Sequence, residues 1–166
     1  MECAKRLPHI QFLWAGGFSF GKITDGYAEI EKIVANPPKN LVFPGIVDRN
    51  EMNTIYNLGD VMFLPSFEEL FSMTILEAMN CSIPLLLRDI PIYEAILFDY
   101  YIKEPDLDGF IRALKQLESD SAFYKKAQSD AWRGHLFYNR EHVLSMWDTF
   151  YTRVIDEQSR KQLYTK

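Results

Sequence analysis

Two acidic residues, Glu69 and Glu77, flank the start of a predicted helix and stand eight positions apart. On one helix that spacing would separate them by about 12 Å along the axis, which exceeds the roughly 5–9.5 Å between the paired carboxyl groups of glycoside hydrolases. With Glu69 in a loop, however, both side chains can face one pocket. Carboxylates there would accept hydrogen bonds from hydroxyl groups, which is how proteins hold sugars and riboses.

The segment that carries these acids leaves the carboxyl end of a predicted strand and enters a helix. Free amides and the positive end of the helix dipole at such a start suit a phosphate group. Ser72 can cap this helix, and Thr74 adds a hydroxyl in its first turn. Simpler interpretations stay open, because Glu77 could merely complement the helix dipole and Glu69 could lie in a solvated loop.

Short apolar segments alternate with helical patterns along the chain, and these elements must position the acidic loop. Such alternation is typical of the doubly wound α/β class, a parallel sheet with helices on both faces. We therefore predict one domain over residues 1–166 with a helical C-terminal extension. Strands are predicted at 9–14, 41–43, 60–64, 84–87 and 100–102, and helices at 1–6, 27–35, 48–57, 73–79, from Pro91, and at 106–118, 120–133 and 139–160.

Individual residues mark several of these boundaries. Asp48 and Glu51 have the spacing of a capping box, Asn36-Pro37-Pro38 would stop a helix, and Pro91 fits the first turn of the next one. In doubly wound sheets, ligands bind at the carboxyl ends of the strands. The loops expected to form a site are therefore 16–17, 45–48, 65–72 and 88–91.

Composition narrows the class of protein. A net charge of −5 over 166 residues argues against nucleic-acid binding, and no apolar run approaches the roughly 18 residues of a membrane span. Cys3 and Cys81 form neither a disulfide framework nor a metal-ligand pattern, so we expect both to be buried, reduced thiols. Reduced thiols predict a cytoplasmic protein.

The string around the two acids resembles a known family. Pro65-Ser66, Glu69, Glu77-Ala78-Met79 and Pro84 are similar to the E-x7-E signature of family-four retaining glycosyltransferases, whose GT-B fold pairs two Rossmann-like domains. The order of the flanking strands and glycine loops also fits over most of the chain. The segment from Glu69 onward, which includes Arg88-Asp89, further resembles bacterial diacylglycerol glycosyltransferases.

The resemblance implies a role for each matching position. Glu77 would hold the ribose hydroxyls of a nucleotide-sugar donor. Glu69, the residue assigned as catalytic, would contact hydroxyls of the donor sugar rather than act as acid or base. The donor-binding residues implied in this way are Gly16, Gly17, Ile46, Val47, Glu69, Leu70, Phe71, Ser72, Met73, Thr74 and Glu77. Arg88 could pair with a donor or acceptor group, and neither a metal nor a cofactor is expected.

The resemblance also implies an activity, the transfer of a hexose from UDP-glucose or UDP-galactose to a lipid such as (glycosyl)diacylglycerol with retention. This chain would be the donor-binding domain of a longer enzyme, and an N-terminal domain outside it would hold the acceptor, a lipid or a saccharide. Alone, the chain is expected to transfer no sugar and to bind donor weakly. Peripheral association with the inner face of the membrane would come through the full-length protein.

The C-terminal region, residues 137–166, would cross back toward that N-terminal domain. Its last predicted helix carries an apolar stripe formed by Trp147, Phe150, Tyr151 and Val154. We expect this stripe to pack in the core or against another domain, with a membrane surface as the alternative.

Two departures from the family pattern keep a second function open. Leu70 and Ser72 stand where the family has glycines, which permit close approach of the backbone to a ligand. The chain could therefore be a non-catalytic module that binds a nucleotide or a nucleotide sugar. A flavodoxin-like or receiver domain is disfavoured, because the residues after Trp14 supply no acidic cluster at the end of the first strand.

Overall fold

The computed structural model describes residues 1–18, 21–23 and 26–164. Strands and helices alternate through the first two thirds of the chain, and three helices follow. The strands are β1 (Phe12–Ala15), β2 (Leu41–Gly45), β3 (Met62–Leu64), β4 (Leu85–Arg88) and β5 (Ile102–Glu104). The α-helices are α1 (Glu2–Arg6), α2 (Tyr27–Ala35), α3 (Met52–Leu58), α4 (Met73–Asn80), α5 (Pro91–Leu97), α6 (Leu107–Ser119), α7 (Ser121–Tyr138) and α8 (Arg140–Tyr164).

The strands form two parallel sheets, a β1–β2 pair and a β3–β4–β5 sheet with β4 in the centre. An edge-to-face contact between the rings of Phe12 and Phe63, 6.3 Å apart, places β1 beside β3. The side-chain amide of Asn40 donates to the carbonyls of Ala4, Leu7 and Ile10 at 2.8–2.9 Å, which ties the start of β2 to the chain around α1.

The central strand β4 is buried on both of its faces. Side chains alternate along a strand, so Leu85 and Leu87 lie on one face and Leu86 on the other, and all three are almost completely buried. Residues of α4 and α5 pack with Leu85 and Leu87, whereas residues of α1 and α6 pack with Leu86. This arrangement confirms the predicted doubly wound class, because helices cover both faces of a parallel sheet.

Helix α7 packs closely across α4 at Gly134. A Cβ atom at that position would stand 2.7 Å from the Cε atom of Met79, and 3.2 Å from the Cβ atom of Tyr100. Both Gly134 and Met79 are buried. The close packing of α7 on α4 therefore requires a residue without a side chain at position 134. This packing holds α4, which carries Glu77, against the C-terminal helices.

Several predicted boundaries agree with the structure, and one predicted motif is wrong. The 27–35 helix is confirmed, and Pro91 stands in the first turn of α5 as predicted. The capping box does not form, because the Oδ1 atom of Asp48 accepts instead from the amide of Asn50 at 2.8 Å. Glu51 becomes the cap residue of α3 without a side-chain cap bond among the described residues.

The remaining boundaries shift by a few residues. Strands β1, β3 and β5 begin two or three residues later than predicted. In each case the apolar run starts before the first residue that pairs with a neighbouring strand. The predicted 120–133 helix continues to Tyr138 in α7, so the boundary proposed at residue 137 falls inside a helix. Residues 165 and 166 of the predicted 137–166 region lie outside the described residues.

The predicted burial of two features is wrong in part. Cys3 is buried as expected, but Cys81 is only half-buried; both are free thiols. Trp147, Phe150 and Tyr151 on α8 are exposed and contact one another, with the rings of Trp147 and Tyr151 stacked at 5.6 Å. The expected core packing of this stripe is therefore wrong, whereas packing against another domain stays a prediction.

Within the described ranges, no helix has the length and apolar character needed to cross a bilayer.

Candidate functional site

The carboxyl ends of β1 and β2 bring the predicted glycine loop and Ile46 together. The amide of Gly16 donates to the carbonyl of Gly45 at 2.9 Å. Gly17 lies so close to Ile46 that a Cβ atom on this glycine would be 2.8 Å from the Ile46 Cγ1 atom. Ile46 is exposed and Val47 is half-buried. The resemblance predicted Gly16, Gly17, Ile46 and Val47 as site residues. The two loops that carry them lie side by side, and Ile46 supplies an apolar wall.

The loop between β3 and α4 presents backbone amides at the start of a helix. Ser72 occupies the cap position as predicted, but its hydroxyl pairs with the hydroxyl of Thr74 at 2.7 Å. Within the described residues, this hydroxyl makes no cap bond to a first-turn amide. Such amides have no acceptor within their own helix. The amides at Met73 and Thr74 are therefore donors of the kind that an anion can use.

Apolar side chains surround this loop. Leu70 is 86% exposed and Met73 is also exposed. Phe71 is partly covered, because its ring lies 5.3 Å from that of Tyr138 at the end of α7. The side chain of Leu70 thus occupies the surface rather than the protein interior, although its backbone cannot adopt the range of conformations open to glycine.

Glu77 lies in the second turn of α4, where a tyrosine from α3 holds its carboxylate. The hydroxyl of Tyr56 donates to the Oε2 atom of Glu77 at 2.7 Å. Glu77 is half-buried, and Tyr56 is 9% exposed. Burial first, and then the hydrogen bond and negative charge of Glu77, raise the pKa of Tyr56 well above its usual range. The phenol therefore stays a donor, and the Oε1 atom of Glu77 remains for another partner.

Glu69 is half-buried in the loop between β3 and α4. Burial raises the pKa of Tyr93 to about 12, and the negative charges of Glu69 and then Tyr101 add to the shift. The negative charge of Glu69 therefore acts on the hydroxyl of Tyr93 and disfavours its ionisation. The hydroxyls of Tyr93 and Tyr101 are both buried without a hydrogen-bond partner among the described residues.

Arg88, the last residue of β4, connects the loops that follow β3 and β5. Its Nε atom donates to the carbonyl of Pro65 at 3.0 Å, and its Nη1 atom donates to the carbonyl of Pro105 at 2.6 Å. The guanidinium carbon lies 3.9 Å from the ring centre of Phe67, which is itself in the acidic loop. These contacts give Arg88 a structural role in the loop that carries Glu69, where the sequence suggested contact with a ligand.

The predicted residues thus fall into two groups. Gly16, Gly17, Ile46 and Val47 lie at the end of one sheet, and residues 69–77 follow a strand of the other. No hydrogen bond within the described part of the chain joins the two groups directly. No group of three or more histidine, cysteine and acidic side chains has the arrangement of a metal site within those residues either.

The sequence did not predict Tyr56 and Tyr93 as site residues. Tyr93 is completely buried and belongs to the same core cluster as Tyr56. Tyr56 received no role, although a tyrosine inside an otherwise apolar segment needs a partner for its hydroxyl when it is buried. The need of a buried hydroxyl for a partner could have drawn attention to Tyr56, but it does not identify Glu77 as that partner.

Solved structures of other proteins have similar folds. Sucrose-phosphate synthase from Thermosynechococcus elongatus matches 94% of this chain and 41% of its own, with a TM-score of 0.76 and 21% identity. The pneumococcal O-GlcNAc transferase GtfA, solved in complex with UDP and GlcNAc, matches 93% of this chain and 31% of its own, with a TM-score of 0.64 and 19% identity. At this identity the likeness concerns the fold alone.

Curated relatives are more similar in sequence. The alpha-galactosylglucosyldiacylglycerol synthase of Streptococcus pneumoniae is 43% identical over 153 residues, which are 92% of this chain and 41% of that protein. The processive diacylglycerol alpha-glucosyltransferase of Acholeplasma laidlawii is 36% identical over 98 residues, 59% of this chain and 29% of that protein. The chain thus spans less than half the length of these relatives. The family model "Glycosyl transferases group 1" matches residues 7–132, and the chain therefore belongs to that glycosyltransferase family.

Proposed function

We propose that this chain is the donor-binding part of a glycosyltransferase that moves a hexose from a UDP-sugar to a diacylglycerol-based lipid with retention at the anomeric carbon. The observation that carries the proposal is the half-buried Glu77 carboxylate, held by Tyr56 at 2.7 Å beside the start of α4. A fixed carboxylate next to free helix amides suits a ligand with a diol and a diphosphate, and a nucleotide sugar has both.

In this proposal the two groups of residues hold different parts of one donor. Ile46 and Val47 face the base, with Gly16 and Gly17 lining the same cleft. Glu77 accepts from the ribose hydroxyls, and Glu69 accepts from the hydroxyls of the sugar. The amides from Phe71 to Thr74 face the sugar and the diphosphate. The donor would therefore bridge the end of the β1–β2 sheet and the start of α4.

The chemistry that follows is positioning and charge stabilisation. When the bond from the anomeric carbon to the diphosphate breaks, the leaving oxygens gain negative charge. Amide donors fixed at a helix start stabilise that charge without reorganisation. The acceptor hydroxyl must then approach the anomeric carbon in a defined geometry, and the residues that hold it belong to the part of the enzyme outside this chain.

The nature of the acceptor is supported by the names of the two curated relatives, both of which refer to diacylglycerol. A lipid acceptor requires the active site to reach a membrane surface. We therefore propose peripheral membrane association of the complete enzyme on its cytoplasmic face.

A non-catalytic module that binds a nucleotide or nucleotide sugar is the second candidate, and Leu70 and Ser72 favour it. Both carry side chains at positions where the family pattern has glycine. The two candidates share the donor site and differ in turnover. Release of sugar from UDP-glucose or UDP-galactose by a polypeptide extended to the relatives' length would support the enzyme, and binding without any turnover would support the module.

The first experiment is a titration of the ¹⁵N-labelled chain with UDP, UDP-glucose and UDP-galactose, followed by NMR. We expect weak binding with shifts at residues 44–48 and 69–77, and weaker binding of all three ligands by Glu77→Gln. The matched control is Glu68→Gln, since Glu68 is an exposed acid of the same loop. The absence of shifts at millimolar ligand, or equal binding by Glu77→Gln and the wild type, would overturn the proposed site.

A further inference from the structure

Tyr56 reaches Glu77 from a separate helix, across the edge of the core. Its ring belongs to the same buried cluster as Ile75 and Met79, which lie on α4 on either side of Glu77 in the sequence. The hydroxyl at the end of this fixed ring donates to the Oε2 atom of Glu77 at 2.7 Å. The position of the hydroxyl is therefore set by core packing, and the position of the carboxylate is set by the hydroxyl.

This contact changes what Glu77 can offer to a ligand. A free glutamate side chain rotates about several bonds, and ordering it costs conformational entropy. The bond from Tyr56 orders the carboxylate before a ligand arrives, which reduces the cost of binding. It also occupies part of the acceptor capacity of Oε2, so the Oε1 atom is the freer acceptor for two adjacent hydroxyls.

We infer that Tyr56 is a positioning residue that makes Glu77 selective for a nucleotide with an intact ribose diol. The inference rests on the proposed function, since it assumes that Glu77 accepts from a ribose. Tyr56 acts through Glu77 and touches no part of the donor. It follows that Tyr56 contributes to affinity only when the ligand has the hydroxyls that Glu77 recognises.

The test compares UDP with 2′,3′-dideoxy-UDP, which lacks both ribose hydroxyls, by NMR titration of the whole chain. We expect the wild type to prefer UDP by about tenfold, the effect of one hydrogen bond to a charged group. Tyr56→Phe keeps the ring and removes only the hydroxyl. We expect it to reduce the preference to about twofold, with unchanged affinity for dideoxy-UDP.

The chain offers a matched control in Tyr27. Its hydroxyl donates to the Oε1 atom of Glu31 at 2.8 Å on the exposed surface of α2. Tyr27→Phe therefore removes the same kind of bond without touching Glu77, and it is expected to keep the wild-type preference for UDP over dideoxy-UDP. A purely structural role for Tyr56 would weaken the binding of both nucleotides equally, and that result would overturn the inference.

The outcomes separate this inference from the function on which it rests. If the wild type prefers UDP and Tyr56→Phe keeps that preference, the role of Tyr56 is wrong and the proposed donor site stands. If the wild type binds both nucleotides equally or neither, both are overturned. Glu77→Gln supplies a second variant, because it retains an acceptor for Tyr56 but no negative charge, and it is expected to reduce the preference as well.

Discussion

Replacement of Arg88 by alanine should loosen the loop that carries Glu69 and destabilise the fold. The guanidinium group donates to the carbonyls of Pro65 and Pro105 at 3.0 and 2.6 Å. It also covers the ring of Phe67 at 3.9 Å. No other side chain in the described residues connects these two proline carbonyls, so alanine leaves the loops after β3 and β5 without that link.

The magnitude follows from the three contacts. A hydrogen bond to a charged group contributes about 1.5–3 kcal/mol when it is buried, and we take about 1 kcal/mol for each of these because Arg88 is only half-buried. The contact with Phe67 adds about 0.5–1 kcal/mol. Arg88→Ala should therefore lower the free energy of unfolding by about 2.5–3 kcal/mol. Lysine can reach only one carbonyl at a time, so Arg88→Lys should lose about half of that.

Urea unfolding followed by circular dichroism measures the effect. With an m value near 2 kcal/mol/M, the midpoint of Arg88→Ala should fall by about 1–1.5 M. Arg112→Ala is the matched control, because Arg112 makes a single exposed ion pair with Glu104 at 3.8 Å, and such pairs contribute about 0–1 kcal/mol. Equal midpoints for Arg88→Ala and Arg112→Ala would refute the reasoning, as would a lysine variant as stable as the wild type.

Two further substitutions probe the core around the site. Gly134→Ala gains about 1 kcal/mol of helix propensity but places a Cβ atom 2.7 Å from Met79, which should cost about 1–3 kcal/mol. We expect Gly134→Ala to lower the melting temperature, and to lower it less in a Met79→Ala background, where only the 3.2 Å contact with the Cβ atom of Tyr100 remains. A stabilised single variant would contradict this. Tyr93→Phe removes a buried hydroxyl that has no partner in the described structure, so stability at pH 7 should be unchanged or higher. Because the folded pKa of about 12 exceeds the usual value of 10, the wild type should lose stability between pH 10 and about 12. The phenylalanine variant should lose less, and equal alkaline losses measured by urea unfolding would show that Tyr93 does not contribute.

Local signals in the sequence predicted much of the architecture. The prolines after Asn36 end α2 where expected, and Pro91 opens α5. The apolar runs predicted parallel strands, because a strand buried on both faces has no polar alternation. The spacing of Glu69 and Glu77 likewise singled out the loop that enters α4. Each of these signals depends on a few neighbouring residues, so it can be read without knowledge of the tertiary contacts.

Other features depend on residues that are distant in sequence. Glu77 meets Tyr56, 21 positions earlier, and no spacing rule connects a residue on α4 with one on α3. The pairing of Arg88 with a ligand group stays a prediction, and the structure adds that its Nε and Nη1 atoms donate to two backbone carbonyls. The capping box failed for a different, local reason, because Asp48 bonds within its own turn and the helix begins later. Tertiary contacts and competing local bonds decide these cases.

The division of the strands into two sheets has a consequence for the order in which parts of the molecule open. The β1–β2 pair forms no ladder with β3–β4–β5 among the described residues. Its links to the rest of the domain include the Phe12–Phe63 ring contact and the bonds from the Asn40 amide to the chain around α1. A unit with few contacts opens at lower free energy than the core. The amides of β1 and β2 should therefore exchange with deuterium sooner than those of β4, and a nucleotide that bridges both sheets should slow the exchange of the first unit most.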